Sequence, residues 1–103
     1  MDPDFTLREP EALPYGGDYK GIEGFKTCWN KIKATIATES LETVRTFFAD
    51  DADHMVCELA VKGKVIATGK RYDSHVFEQW QLRSGKILAI TLYWFKLPDF
   101  ETC

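Results

Sequence analysis

At 103 residues, 45% apolar and 14% aromatic, the chain has the size of one small domain with a single core. A charged fraction of 28% excludes wholesale disorder, and no apolar run approaches the roughly 18 to 20 residues of a membrane-spanning helix. Thirteen Lys and Arg against sixteen Asp and Glu give a net charge of −3, which speaks against a nucleic-acid partner. The start, Met1-Asp2-Pro3-Asp4, has neither the basic residues nor the apolar stretch of a secretory signal. Cys28, Cys57 and Cys103 form no CxxC pair and no disulfide framework, so a reduced, cytoplasmic setting away from membranes is expected.

No repeat or linker interrupts the sequence, and residues 1–103 are read as one domain. In chain order, Phe5-Thr6-Leu7-Arg8 reads as a short strand stopped by Pro10. Pro14, Gly16, Gly17, Gly21 and Gly24 make residues 11–24 a long structured loop. From Glu23 to Ala37, apolar residues at Phe25, Cys28, Trp29, Ile32 and Ile36 have the three-and-four spacing of an amphipathic helix. Strands are expected at Leu41–Phe48, Met55–Val61, a long bent Val65–Leu82, and Lys86–Leu97. Lys62-Gly63-Lys64 and Arg83-Ser84-Gly85-Lys86 read as hairpin turns. One helix followed by a four-stranded antiparallel meander is an α+β architecture whose sheet must curve around something.

Alternate strand residues point to opposite faces, which sorts the candidate chemistry. On Tyr72–Leu82 the face carrying Val76, Glu78, Trp80 and Leu82 is the apolar one. Glu78 therefore stands in an apolar row, where desolvation favours its neutral form and equips it as a proton donor. Glu9 lies between a strand and Pro10, at the mouth of the glycine-rich loop, where a strand end can aim a side chain into a pocket. The last strand is apolar on both faces, with Ile90, Leu92 and Trp94 on one and Ala89, Thr91, Tyr93 and Phe95 on the other. Such a strand is covered on both sides, by core on one and by a partner subunit on the other.

Other sites are disfavoured by spacing. His54 and His75 show no HxxxH or HxH pattern, so no metal is expected; His54 is read as capping a turn and His75 as lying at a surface or interface. Cys57 lies in a strand interior and reads as inert filling. Gly21-x-x-Gly24 lacks the order of a phosphate loop. Lys62, Lys64, Lys70 and Arg71 read as a solvated turn.

The run Glu9-Pro10 through Pro14-Tyr15-Gly16-Gly17 to Tyr19 and Gly21 resembles the loop of SnoaL-like proteins. These form the branch of the nuclear-transport-factor-like (NTF2-like) superfamily that contains polyketide cyclases and ketosteroid isomerases. Gly24-Phe25, the segment from Glu78 through Trp80, Leu82 and Gly85 to Ile87, and Tyr93-Trp94 are similar to the same family. The resemblance implies a cone: a curved antiparallel sheet wrapped around an apolar pocket, commonly in a homodimer. It places Glu9-Pro10 where the isomerases keep their general base, and Glu78 where they keep a protonated acid in the oxyanion hole. It implies a small hydrophobic ligand lined by Tyr15, Trp29, Met55, Cys57, Leu59, Trp80 and Trp94, with no cofactor. The chain departs from the family in having Glu at both acids, and in starting where the usual N-terminal helices have ended. The isomerases' oxyanion tyrosine has no counterpart.

The expected function is small-molecule binding, with cofactor-free isomerase or cyclase chemistry by proton transfer next to a carbonyl. Glu9 would take the proton and Glu78 would hydrogen-bond the enolate oxygen. The alternative is a non-catalytic ligand-binding or dimerisation module of the same fold.

Overall fold

The computed structural model describes residues 1–100; Cys103 lies outside them. Strand β1 (Thr6–Glu9) turns through a short loop into β2 (Gly17–Lys20), and helix α1 (Gly21–Thr35) follows without a linker. The helix runs directly into β3 (Ile36–Phe48), and β4 (His54–Val65), β5 (Arg71–Arg83) and β6 (Lys86–Trp94) complete one sheet. Its order is β2-β1-β6-β5-β4-β3. All neighbours are antiparallel except β1 and β6, which pair in parallel through Leu7 and Ile90. The sheet is therefore six-stranded and mixed rather than a four-stranded meander. The short strand β1 is legible in the local sequence, but its place beside β6 is not.

The expected loop at 11–24 contains β2, and the helix starts at Gly21 rather than Glu23. The loop folds tightly back on itself: Leu13 N–H donates to the Pro10 carbonyl at 3.1 Å, and Gly16 N–H to that of Leu13 at 2.9 Å. A Cβ at Gly16 would sit 2.3 Å from the Pro10 carbonyl, so glycine is required there.

Lys62-Gly63-Lys64 is no turn. It lies inside β4, paired with Arg71, Tyr72 and Asp73 of β5. Gly63 is there because the Tyr72 ring crosses it: a Cβ would meet the Tyr72 hydroxyl at 2.6 Å and the Ala37 carbonyl at 2.2 Å. That hydroxyl shares a 3.1 Å hydrogen bond with Thr38 Oγ1. The break falls later, where Gly69 at φ +72° lets its N–H reach the Val65 carbonyl at 2.8 Å. So the expected single strand from Val65 to Leu82 is two elements. The hairpin at Ser84 and Gly85 forms as expected, with both residues at positive φ.

Register shifts between Thr38 and Ser40 and between Thr43 and Arg45 mark irregularities in β3 where it pairs with β4, the kind of feature that bends a sheet. The concave face holds two apolar clusters. Phe5, Leu7, Cys28 and Ile90 form one beneath the helix, and Ile36, Leu59, Val61, Val65, Tyr72 and Val76 form the other. Ile32 of α1 and Leu92 of β6 pack against both. On the outer face, Glu58 is buried between Arg45 Nε at 3.0 Å and His75 Nδ1 at 2.8 Å. His54 holds the β3–β4 turn through Asp51, at 2.8 Å. Lys62 faces Asp73 and Arg71 pairs with Glu39, so these cations serve local pairs on the surface. No helix among the described residues is long and apolar enough to cross a membrane.

Candidate functional site

Between the two clusters lies a cavity of about 760 Å³, bounded by α1 and the concave face of the sheet. Its wall is overwhelmingly apolar, and its charged lining residues are Glu9, Glu78 and Lys33. The two carboxyls reach it from different strands for the same reason, inward parity. On β1, Leu7 and Glu9 are the buried positions and Arg8 is exposed. On β5, Tyr72, Val76, Glu78 and Trp80 line the cavity while His75 and Gln79 face out. Glu78 pairs with Leu92 across to β6, and the β1 register, Arg8 opposite Thr91, brings Glu9 level with the other side of Leu92. Two strand spacings separate their backbones by roughly 10 Å, and the curvature turns both carboxyls toward one space.

Glu9 is only 6% exposed, and its Oε2 is buried with no hydrogen-bond partner among the described residues. Burial first, then the charge of Glu78, pushes its pKa up to about 8. Burial also raises Glu78, while the nearby Trp80 indole partly offsets the shift without making a hydrogen bond of normal geometry. The direction for Glu78 is the one its apolar row implies. The ranking of the pair is not. The residue expected to be the base is the more deeply buried and holds its proton more firmly. Glu9 stands at the closed end, where its charge is felt by Tyr15, 2% exposed, and by Cys28. Burial and Glu9 together push the Cys28 thiol up to about 11, which leaves it protonated and unreactive.

Of the expected lining residues, Tyr15, Trp29, Leu59, Trp80 and Trp94 surround the cavity. Met55 and Cys57 do not. They share a face of β4 with Leu59, but the lining from that strand is Leu59 and Val61, and Met55 and Cys57 lie further back toward the β3–β4 turn. Parity alone cannot say how far along a strand a pocket extends. Tyr72, whose ring meets Trp94 edge-on at 5.9 Å, was missed although it shares the face of Val76 and Glu78. Lys33 and Leu41 were missed because they stand at the rim, outside the core pattern.

A single curled sheet with one helix laid across its concave face, and a cavity between them, decides the architecture. This is the NTF2-like cone fold. No family model matches the sequence, and no curated protein matches it either. Similar solved structures include an NTF2-like protein from Burkholderia thailandensis, with a TM-score of 0.81 at 17% identity over 91% of this chain and 72% of that one. A protein with a ketosteroid isomerase-like fold from Catenulispora acidiphila, in complex with trimethylamine, has a TM-score of 0.74 at 16% identity, covering 90% of this chain and 68% of that one. A Mesorhizobium loti protein put forward as a SnoaL-like polyketide cyclase has a TM-score of 0.76 at 15% identity, covering 89% and 76%. At these identities the likeness to the NTF2-like cone fold is one of architecture.

Proposed function

We propose that the chain binds a small, largely apolar carbonyl compound in the cone and moves a proton next to its carbonyl without a cofactor. The observation that carries this reading is the convergence of Glu9 and Glu78, buried to different depths, on one apolar cavity. The ionised Glu78 carboxylate takes the proton from the carbon beside the carbonyl, and the C–H electron pair moves into the carbonyl to give an enolate. Glu9, neutral below about pH 8, donates a hydrogen bond to the enolate oxygen. Return of the proton from Glu78 to a conjugated carbon completes an isomerisation, whereas return to the same carbon gives hydrogen exchange alone. This exchanges the roles expected from the family resemblance, because burial gives Glu9 the firmer proton. The isomerase-like and cyclase names among the structural neighbours support chemistry of this class.

The test is deuterium uptake from heavy water into a panel of small cyclic ketones, followed by NMR. The wild-type chain should accelerate exchange for at least one of them, and Glu78→Gln should slow it by about 100-fold or more. No acceleration by the wild type across the panel would refute the enzymatic reading.

We also propose that the chain pairs with a second copy through the outer face of the sheet. Tyr93 and Phe95 are 53% and 83% exposed there, beside the half-buried Phe77. Ala89, expected in the same patch, is buried between its neighbours, so the patch is narrower than the sequence suggests.

A further inference from the structure

The cavity is electrically lopsided. Its closed end holds Glu9 and Tyr15, both nearly inaccessible, and its open end is marked by Trp29 and Leu41, 53% and 58% exposed. Lys33 lies at that open end and is the only cation in the lining among the described residues. Trp29 and Lys33 are four residues apart on α1, which stacks them on one helix face at the rim. Other lysines of the helix are occupied: Lys26 faces Glu23 at 3.8 Å, and Lys31 lies over the Tyr19 ring at 5.3 Å. Lys33 has no ion-pair or hydrogen-bond partner among the described residues. An exposed tryptophan beside an unpartnered ammonium, both on the lip of an apolar cavity, matches the two ends of an aromatic acid.

We propose that Lys33 selects and orients an anionic ligand: a flat apolar molecule that enters carbonyl-first and leaves a carboxylate at the mouth, against Lys33 and Trp29. This rests on the reading of the cone as a small-molecule site and adds the charge and direction of what it takes. An acidic group that went in first would have no cation beside it at the far end among the described residues, whereas at the mouth it meets Lys33. A neutral ligand would leave the Lys33 ammonium without a counter-charge. The rim is open to water, so the ion pair there contributes selectivity of only a few-fold, and added salt screens it.

The probes are 2-naphthoate and 2-naphthamide, equal in shape and differing in charge, titrated into the full chain by calorimetry at low and high salt. The wild type should bind the naphthoate about two- to fivefold more tightly, with the difference shrinking as salt rises. Lys33→Met should abolish the preference for the naphthoate, whereas Lys26→Met, outside the cavity lining, should leave the preference and both affinities as in the wild type. Equal binding of the two probes by the wild type, or a preference that survives Lys33→Met, would overturn the role of Lys33 while leaving the cavity reading intact. Failure of both probes to bind would overturn the proposal together with the cavity reading on which it rests.

Discussion

Glu9 and Glu78 flank Leu92 from opposite sides of β6, two carboxyls in one apolar cavity with no basic group between them. Burial raises both, and the deeper one also feels its partner, since the charge of Glu78 adds to the burial of Glu9. The coupling predicts more than either residue does alone.

Carboxyl titration by NMR should place Glu9 near pH 8, far above an ordinary glutamate. Glu78→Gln removes the neighbouring charge and should lower the Glu9 midpoint while leaving it elevated, because burial is the larger cause. A midpoint unmoved by that substitution would mean the two side chains do not share the cavity.

The same shift fixes how stability depends on pH. Glu9 binds its proton more tightly folded than unfolded, so its stabilising contribution is complete below about pH 4.5 and is lost as the pH rises through about 8. Denaturant unfolding should show stability falling across that window. Glu9→Gln should flatten the profile and make the variant more stable than the wild type at pH 8.

Phe5 is fully buried and meets Phe25 edge-on at 6.2 Å, with Leu7, Cys28 and Ile90 around it. Phe5→Ala should cost about 3 to 5 kcal/mol in chemical denaturation, since the helix and the first strand close over the void from opposite sides.

Gly63→Ala tests the crossing of Tyr72 over β4. The added methyl has to push away both the Ala37 carbonyl and the Tyr72 hydroxyl, breaking the latter's bond to Thr38, at about 1 to 3 kcal/mol or more. Replacing Tyr72 by Phe in the same chain should recover part of the loss, because the clashing hydroxyl is gone.

Sedimentation at micromolar concentration should report a dimer. Phe95→Glu should shift it to monomer without unfolding the chain, since that side chain is largely exposed within one protomer. A wild-type monomer would remove the outer face from consideration as an interface.

Much of this was legible from parity. The inward row of β5, the inward row of β6 and the helix face follow from spacings of two and of three to four, because burial in a half-covered element is periodic. The family resemblance brought Glu9 and Glu78 together. What spacing could not convey was depth. Which carboxyl lies at the closed end depends on how deeply Glu9 and Tyr15 are buried in the assembled cone, a long-range fact without local signature. Gly63 misled for a related reason. Glycine marks turns, and it equally marks places where another part of the chain comes too close for a side chain.

The parallel pairing of β1 with β6 also governs when the molecule can come into being. Thr6, Leu7 and Arg8 find their partners at Ala89, Ile90 and Thr91, and Asp2 is clamped by Arg83 through bonds of 3.0 and 2.7 Å. During synthesis on the ribosome, β1 can pair with β2 early, but its other edge has no partner until β6 has been translated. The β3–β4–β5 hairpins, whose contacts are local, can assemble first, but the floor of the cone that holds Glu9 closes last. Until then the same apolar surface that makes the cavity is open to other nascent chains.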